Sequence, residues 1–258
     1  MQLFKHQHGY SLLELTLVVA VTGIITASAM TAYRSSGSGS TVSQTAEMVR
    51  VNGAIIAFAQ RNHRLPCADD NGDGVEGNRG DCTATAASYV SGGVPYVTLG
   101  LTPPADFGKG GGADLVYAVY RNSAPSPNAD LARLIERNDH IPAANNYQNS
   151  DDFIIALASA ASAAVSNSYL NVTGDGFATG LSNCAANTVT NVAFALISGG
   201  GMDMDKNGSV FDGPHNAVSW PTGNSVKCFA PPAMPASSSY DDSVVITTFE
   251  QLISLLKQ

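Results

Sequence analysis

With 258 residues the chain is long enough to bury a substantial core in one or two domains. Its net charge is −8, from 21 acidic and 13 basic side chains. That balance excludes the broad positive footprint of a nucleic-acid binder, so no nucleic-acid partner is expected.

The first nine residues, Met1 to Gly9, form a short basic leader with Lys5, His6 and His8. Then come Tyr10-Ser11-Leu12-Leu13-Glu14 and a run from Leu15 to Tyr33 of 19 residues without a formal charge. As an α-helix that run would reach roughly 28 Å, close to the ~30 Å of a bilayer core. A secretory signal peptide places its cleavage site after the apolar stretch, whereas here the glycine stands before it. Glu14 puts a carboxylate at the start of the apolar run, where an ionised group is costly and usually functional.

Gly9, Tyr10, Glu14 and the uncharged run, with Gly23 inside it, resemble the prepilin signature of type IV pilins and of the pseudopilins of type II secretion. Tyr10 stands where phenylalanine is commoner. The resemblance implies cleavage between Gly9 and Tyr10 by a prepilin peptidase, and N-methylation of Tyr10. Glu14 becomes the fifth residue of the processed chain. Its carboxylate can pair with the Tyr10 amine of a neighbouring subunit, because either charge alone is strongly penalised in apolar surroundings. The other partners implied are further pilins or pseudopilins and an inner-membrane assembly platform. The implied location is the bacterial inner membrane, as a single-pass protein with its head in the periplasm, and then the pilus or pseudopilus.

The organisation expected is a leader (1–9), a membrane-spanning and filament-core helix (10–33), a Gly/Ser-rich joint (34–40) and a globular head (41–258). The head includes the second half of the long helix. The fold class that the resemblance implies is α+β and pilin-like: a long N-terminal helix, membrane-spanning in its first half, packed on a small antiparallel sheet with loop-rich insertions. Helical periodicity returns at Val42, Ala46, Val49, Ile56 and Phe58 and ends near Asn62, before Leu65-Pro66. Loops are expected to about Gly112; Val94 to Leu101 and Asp106-Phe107-Gly108 loosely resemble a pattern in large pilin-like proteins. Beyond them lie a strand at Leu115–Tyr120, a short helix at Ala129–Arg137 and a helix at Asp151–Val165 capped by Ser150. Strands at Val189–Ile197 and Ser243–Thr247 follow. A last helix carries Phe249, Leu252, Ile253 and Leu256 on one face, with Thr248 and Gln251 as a capping box.

Four cysteines in an exported chain suggest disulfides, and three pairings are possible. Cys67–Cys82 with Cys184–Cys228 is favoured because each pair brackets a local loop-rich stretch. No Cys-x-x-Cys occurs, which argues against a zinc ribbon or a thioredoxin-like site.

Two loops place oxygen side chains at alternate positions before a glycine, as in the first half of a calcium loop. One carries Asp203, Asp205 and Asn207; the other carries Asp69, Asn71 and Asp73. Both lack the glutamate of the twelfth position, for which Asp212 and Glu76 are substitutes. The same residue types also favour plain turns. His63, His140 and His215 are isolated and expected in solvent, and no nucleophile elbow or His-Glu-x-x-His pair accompanies them. The chain is therefore expected not to be an enzyme. A structural filament subunit, minor pilin or pseudopilin, is the first reading. The alternative is a membrane-anchored adhesin-like binding protein, or a periplasmic enzyme, on a pilin-like stem.

Overall fold

Two segments almost free of polar side chains set the architecture, which a computed structural model describes for residues 44–77, 82, 91–104, 115–125, 127–137, 148–174, 187–216 and 226–257. In chain order its strands are β1 (Ser91–Gly93), β2 (Leu115–Val119), β3 (Asn171–Thr173), β4 (Thr188–Asn191), β5 (Phe194–Ser198), β6 (Cys228–Phe229) and β7 (Ser243–Thr247). The helices are α1 (residues 44–62), α2 (Ser150–Ser162) and α3 (Phe249–Leu256). Every residue of β2 and β5 is buried, the mark of strands covered on both faces. They sit at the centre of a fully antiparallel sheet ordered β1-β2-β5-β7, in which Leu196 lies between Tyr117 and Val245. A smaller sheet, β4-β3-β6, pairs β3 antiparallel to β4 and parallel to β6.

α1 buries Met48, Val51, Ile55, Phe58 and Ala59, a stripe at helical spacing. Its opposite side exposes Val49, Arg50, Gln60 and Arg61. Asn52 accepts a hydrogen bond from the Thr247 hydroxyl of β7, and Gln60 donates to the Leu255 carbonyl of α3. His63 ends the helix at φ 53°, its N–H still bonded to the Ala59 carbonyl. The Thr248 and Gln251 capping box of α3 is present, and Phe249 and Leu252 are its buried anchors.

Several expectations are corrected. Among the described residues no helix is long and apolar enough to cross a membrane. The long N-terminal helix of a pilin-like fold is thus not supported, and neither is a single-pass inner-membrane location with a periplasmic head. α1 starts at residue 44 and turns charged side chains outwards, which suits water rather than lipid. The leader 1–9, the segment 10–33 and the joint 34–40, with Gly9, Tyr10 and Glu14, lie outside the described residues.

Residues 129–137 form irregular chain with a turn at 131–132 instead of a helix. The Arg137 guanidinium there donates to the carbonyls of Asn128, Asp130, Arg133 and Ile135, drawing the chain around itself. The strand expected over Val189–Ile197 is two strands in two sheets. Val192 N–H bonds back to Leu170 and Ala193 N–H to Thr247, so the chain changes sheets between them. The cap of α2 is Asn149 rather than Ser150: its side-chain Oδ1 accepts from the N–H groups of Asp151 and Asp152, and the Asp152 carboxylate accepts the Asn149 N–H in return.

Cys67 and Cys82 are joined, as expected. Cys228 is also disulfide-bonded, whereas Cys184 lies outside the described residues. Glu76, a suggested metal ligand, is committed elsewhere. It takes two bonds from Arg64, at 2.7 and 2.6 Å, and one from the Cys67 N–H at 3.0 Å.

Because Leu196 is wholly buried in the middle of the sheet, Leu196→Ala should cost about 3 kcal/mol of folding free energy. Urea denaturation of the full chain measures this, and a loss below about 1 kcal/mol contradicts a tightly packed centre.

Candidate functional site

Ser198, the last residue of β5, pairs with Ser243, the first of β7. The chain leaving one strand and the chain entering the other therefore meet at one end of the sheet. Residues 199–212 leave it and Tyr240-Asp241-Asp242 arrive. Gly200 permits their close approach, since a Cβ there would overlap the Asp241 carboxylate.

The departing loop is folded by its own acidic side chains. Asp203 accepts from the N–H groups of Asn207 at 3.0 Å and Gly208 at 2.8 Å. Asp205 takes the Asn207 N–H and side-chain amide, and the Asn207 side chain accepts the Ser209 N–H at 2.7 Å. Lys206 and Gly208, at φ 60° and 92°, supply the left-handed positions of the turn. Asp212 lies beneath this loop, wholly buried. One of its oxygens accepts from Met204 and Asp205, the other from the Asp241 N–H at 3.1 Å.

Asp242 is buried behind Asp212. Its Oδ2 accepts the Asp212 N–H at 3.0 Å and lies 2.6 Å from Nδ1 of His215. Asp203, Asp205 and Asp212 form one group whose ligand atoms all lie within 4.8 Å of one another, and Asp212, Asp241 and Asp242 form a second. Asp212 belongs to both.

The crowding shifts these groups. Burial pushes the Asp212 carboxyl up to about 6, and the neighbouring Asp241 carboxylate adds to the shift. Burial also raises Asp241, helped by the charge of Asp242. Asp242 rises for the same first reason, with His215 opposing. The Tyr240 hydroxyl moves up through burial and the three nearby carboxylates. The exposed Asp203 is instead lowered, chiefly by the Gly208 N–H.

His215, expected in solvent, is fully buried, between the rings of Phe229 and Tyr240. Its Nε2 accepts the Ala230 N–H at 3.2 Å, which places the ring proton on Nδ1, facing Asp242. Both nitrogens are thus engaged within the protein, and the imidazole orients a carboxylate. His63 sits at the end of α1, and His140 lies outside the described residues.

The second expected loop is closed on itself. Asp69 is buried and accepts from the N–H groups of Asn71, Gly72 and Gly74, while Asp73 takes the Asn71 side-chain amide and the Val75 N–H. Burial raises the Asp69 carboxyl against those three donors. Among the described residues this loop gathers no group of three ligands; the group formed by Cys67, Glu76 and Cys82 surrounds the disulfide.

No protein-family model matches the chain, and it has no match among curated proteins or solved structures.

Sequence reasoning reached Asp203, Asp205, Asn207 and Asp212 but not Asp241, Asp242 or His215. The one local signal for them is the acidic pair standing directly before a strand.

The Asp212 shift has a definite consequence for stability. Between the ordinary carboxyl value and about 6 the folded state keeps a proton that the unfolded chain has released. Stability of the metal-free protein should therefore fall as pH rises through that window and stay lowered above it. Asp212→Asn should flatten this slope in chelator-treated melts between pH 4 and pH 6.5; an equally steep slope would assign the titration to other groups.

Proposed function

We propose that this chain is a structural subunit, a minor pilin or pseudopilin, of a type IV pilus or a type II secretion pseudopilus. The observation that carries the reading is the placement of Glu14 five residues beyond Gly9, at the head of an uncharged run. An α+β head, in which α1 lies beside β7 and α3, suits a subunit that displays a folded body. The prepilin peptidase would cut between Gly9 and Tyr10, and N-methylation of Tyr10 would follow. Further pilins or pseudopilins and an assembly platform are the partners.

Glu14 has an electrostatic task in this reading. When a second subunit docks, its Tyr10 amine enters apolar surroundings beside the carboxylate. Leaving either charge unpaired there costs more than forming the pair. The carboxylate is therefore needed at docking, and neither cleavage nor folding of the head depends on it.

Two measurements test the proposal. Intact mass of the protein from peptidase-competent cells should show loss of residues 1–9, and Gly9→Val should remain uncut; a retained leader in the wild type refutes processing. Glu14→Ala should be cleaved and folded, yet its share in sheared filaments should drop about tenfold or more, the scale of one unpaired buried charge. Glu14→Asp should fall between the two. Normal incorporation of Glu14→Ala removes the charge pair from the assembly mechanism.

A further inference from the structure

The carboxylates at the β5–β7 end of the sheet carry an inference that is independent of the filament reading. We propose that Asp212, Asp241 and Asp242 bind one divalent cation of the calcium class, with the Asp203–Gly208 loop closing the site on its outer side.

An acidic cluster alone shows nothing; the buried oxygens decide. The Asp242 side chain is fully shielded from solvent, and its Oδ2 is held by His215 and the Asp212 N–H. Its Oδ1 is buried with no hydrogen-bond partner, and so is Oδ1 of Asp241. Buried polar atoms are almost always satisfied, and an unmatched carboxylate oxygen in such a place calls for a counter-charge. Among the described residues no lysine or arginine forms an ion pair with these carboxylates. Among the described residues the Arg ion pairs are Arg50–Glu47, Arg64–Glu76 and Arg121–Asp130, all elsewhere. Among the same residues the basic side chain paired with the cluster is His215, which faces Oδ2.

The geometry fits a hard ion. Oxygens bound at about 2.3–2.6 Å to a common centre lie no more than about 5 Å apart. The ligand atoms of Asp212, Asp241 and Asp242 lie within 4.8 Å of one another. All the donors are oxygens, with no cysteine and no free imidazole nitrogen, which selects calcium or magnesium over zinc or copper. Calcium is favoured because it accepts irregular arrangements of six to eight oxygens, whereas magnesium demands a near-ideal octahedron. The outer group of Asp203, Asp205 and Asp212 shares its third member with the inner one, so the ion would tie the exposed loop to the end of the sheet. The glycine at position 200 keeps the Asp241 carboxylate in place, since any Cβ there would displace it.

The competing arrangement is a proton shared between Asp212 and Asp241, as in paired carboxyl groups elsewhere. Calorimetric titration of the chelator-treated full chain with calcium chloride, and separately with magnesium chloride, at pH 7.5 separates the two. The expected result is one calcium per chain, magnesium at least about tenfold weaker, and a rise in melting temperature that chelator reverses. Asp241→Asn, which keeps the shape and removes one charge, should weaken calcium about tenfold or more. Hydrogen exchange of the wild type locates the ion without any variant: protection on adding calcium should appear at residues 199–216 and 240–242. Absence of calcium binding by the wild type overturns the proposal. So does unchanged affinity in Asp241→Asn, or protection confined to residues 69–77.

Discussion

The burial of β5 on both faces governs this structure. A five-residue strand with every side chain inside must be covered above and below, and its backbone must be paired on each side by β2 and β7. The antiparallel ladders satisfy its N–H and C=O groups where water cannot reach them. Both ends of the strand are then committed. Its entrance must come from the small sheet through Val192 and Ala193, and its exit must turn into the acidic loop.

Loops make up much of the rest, and buried or half-buried arginines fix them where regular hydrogen bonding does not. Arg121 pairs with Asp130 and also donates to the Cys82 carbonyl, tying the disulfide to the 129–137 segment. Arg137 gathers carbonyls of that segment and of Asn128 while its own backbone N–H meets Asp152 at the start of α2. Arg64 holds Glu76 inside the Cys67–Cys82 loop and lies over the Phe58 ring. Such pairs gain little over a well-packed apolar alternative, but breaking one leaves an uncompensated buried charge. They act here as specifiers of loop shape.

What could be read in the sequence was local. The α3 capping box depends on Thr248 and Gln251 alone, three residues apart, and was legible for that reason. So were β7, the body of α2 and the Cys67–Cys82 pairing, each set by neighbours along the chain. The helix expected at 129–137 misled because the local sequence says nothing of what a guanidinium will do with nearby carbonyls. The break at Val192 was hidden inside a continuous apolar run, since either sheet would bury those residues. The acidic site was half legible: the Asp203 turn has a local pattern, whereas His215 meets Asp242 across 27 positions of chain. The long membrane-spanning helix was an inference from composition at the N-terminus, and no described helix has that character.

The position of β7 and α3 bears on the order in which the protein can be made. Asn52 meets Thr247, and Gln60 meets Leu255, each across 195 positions. α1 leaves the ribosome well before the elements that cover its flank, whose contacting residues follow 195 positions later. Until they arrive, β5 lacks one of its two partners and α1 exposes part of its apolar stripe. Contacts of such long sequence separation carry a large loop-closure cost and form slowly. A nascent chain must therefore be kept from sticking through that uncovered surface until β7 and α3 have been made. Closure of the core waits on β7 and α3, and any chaperone serving this protein would act before residue 243 is available.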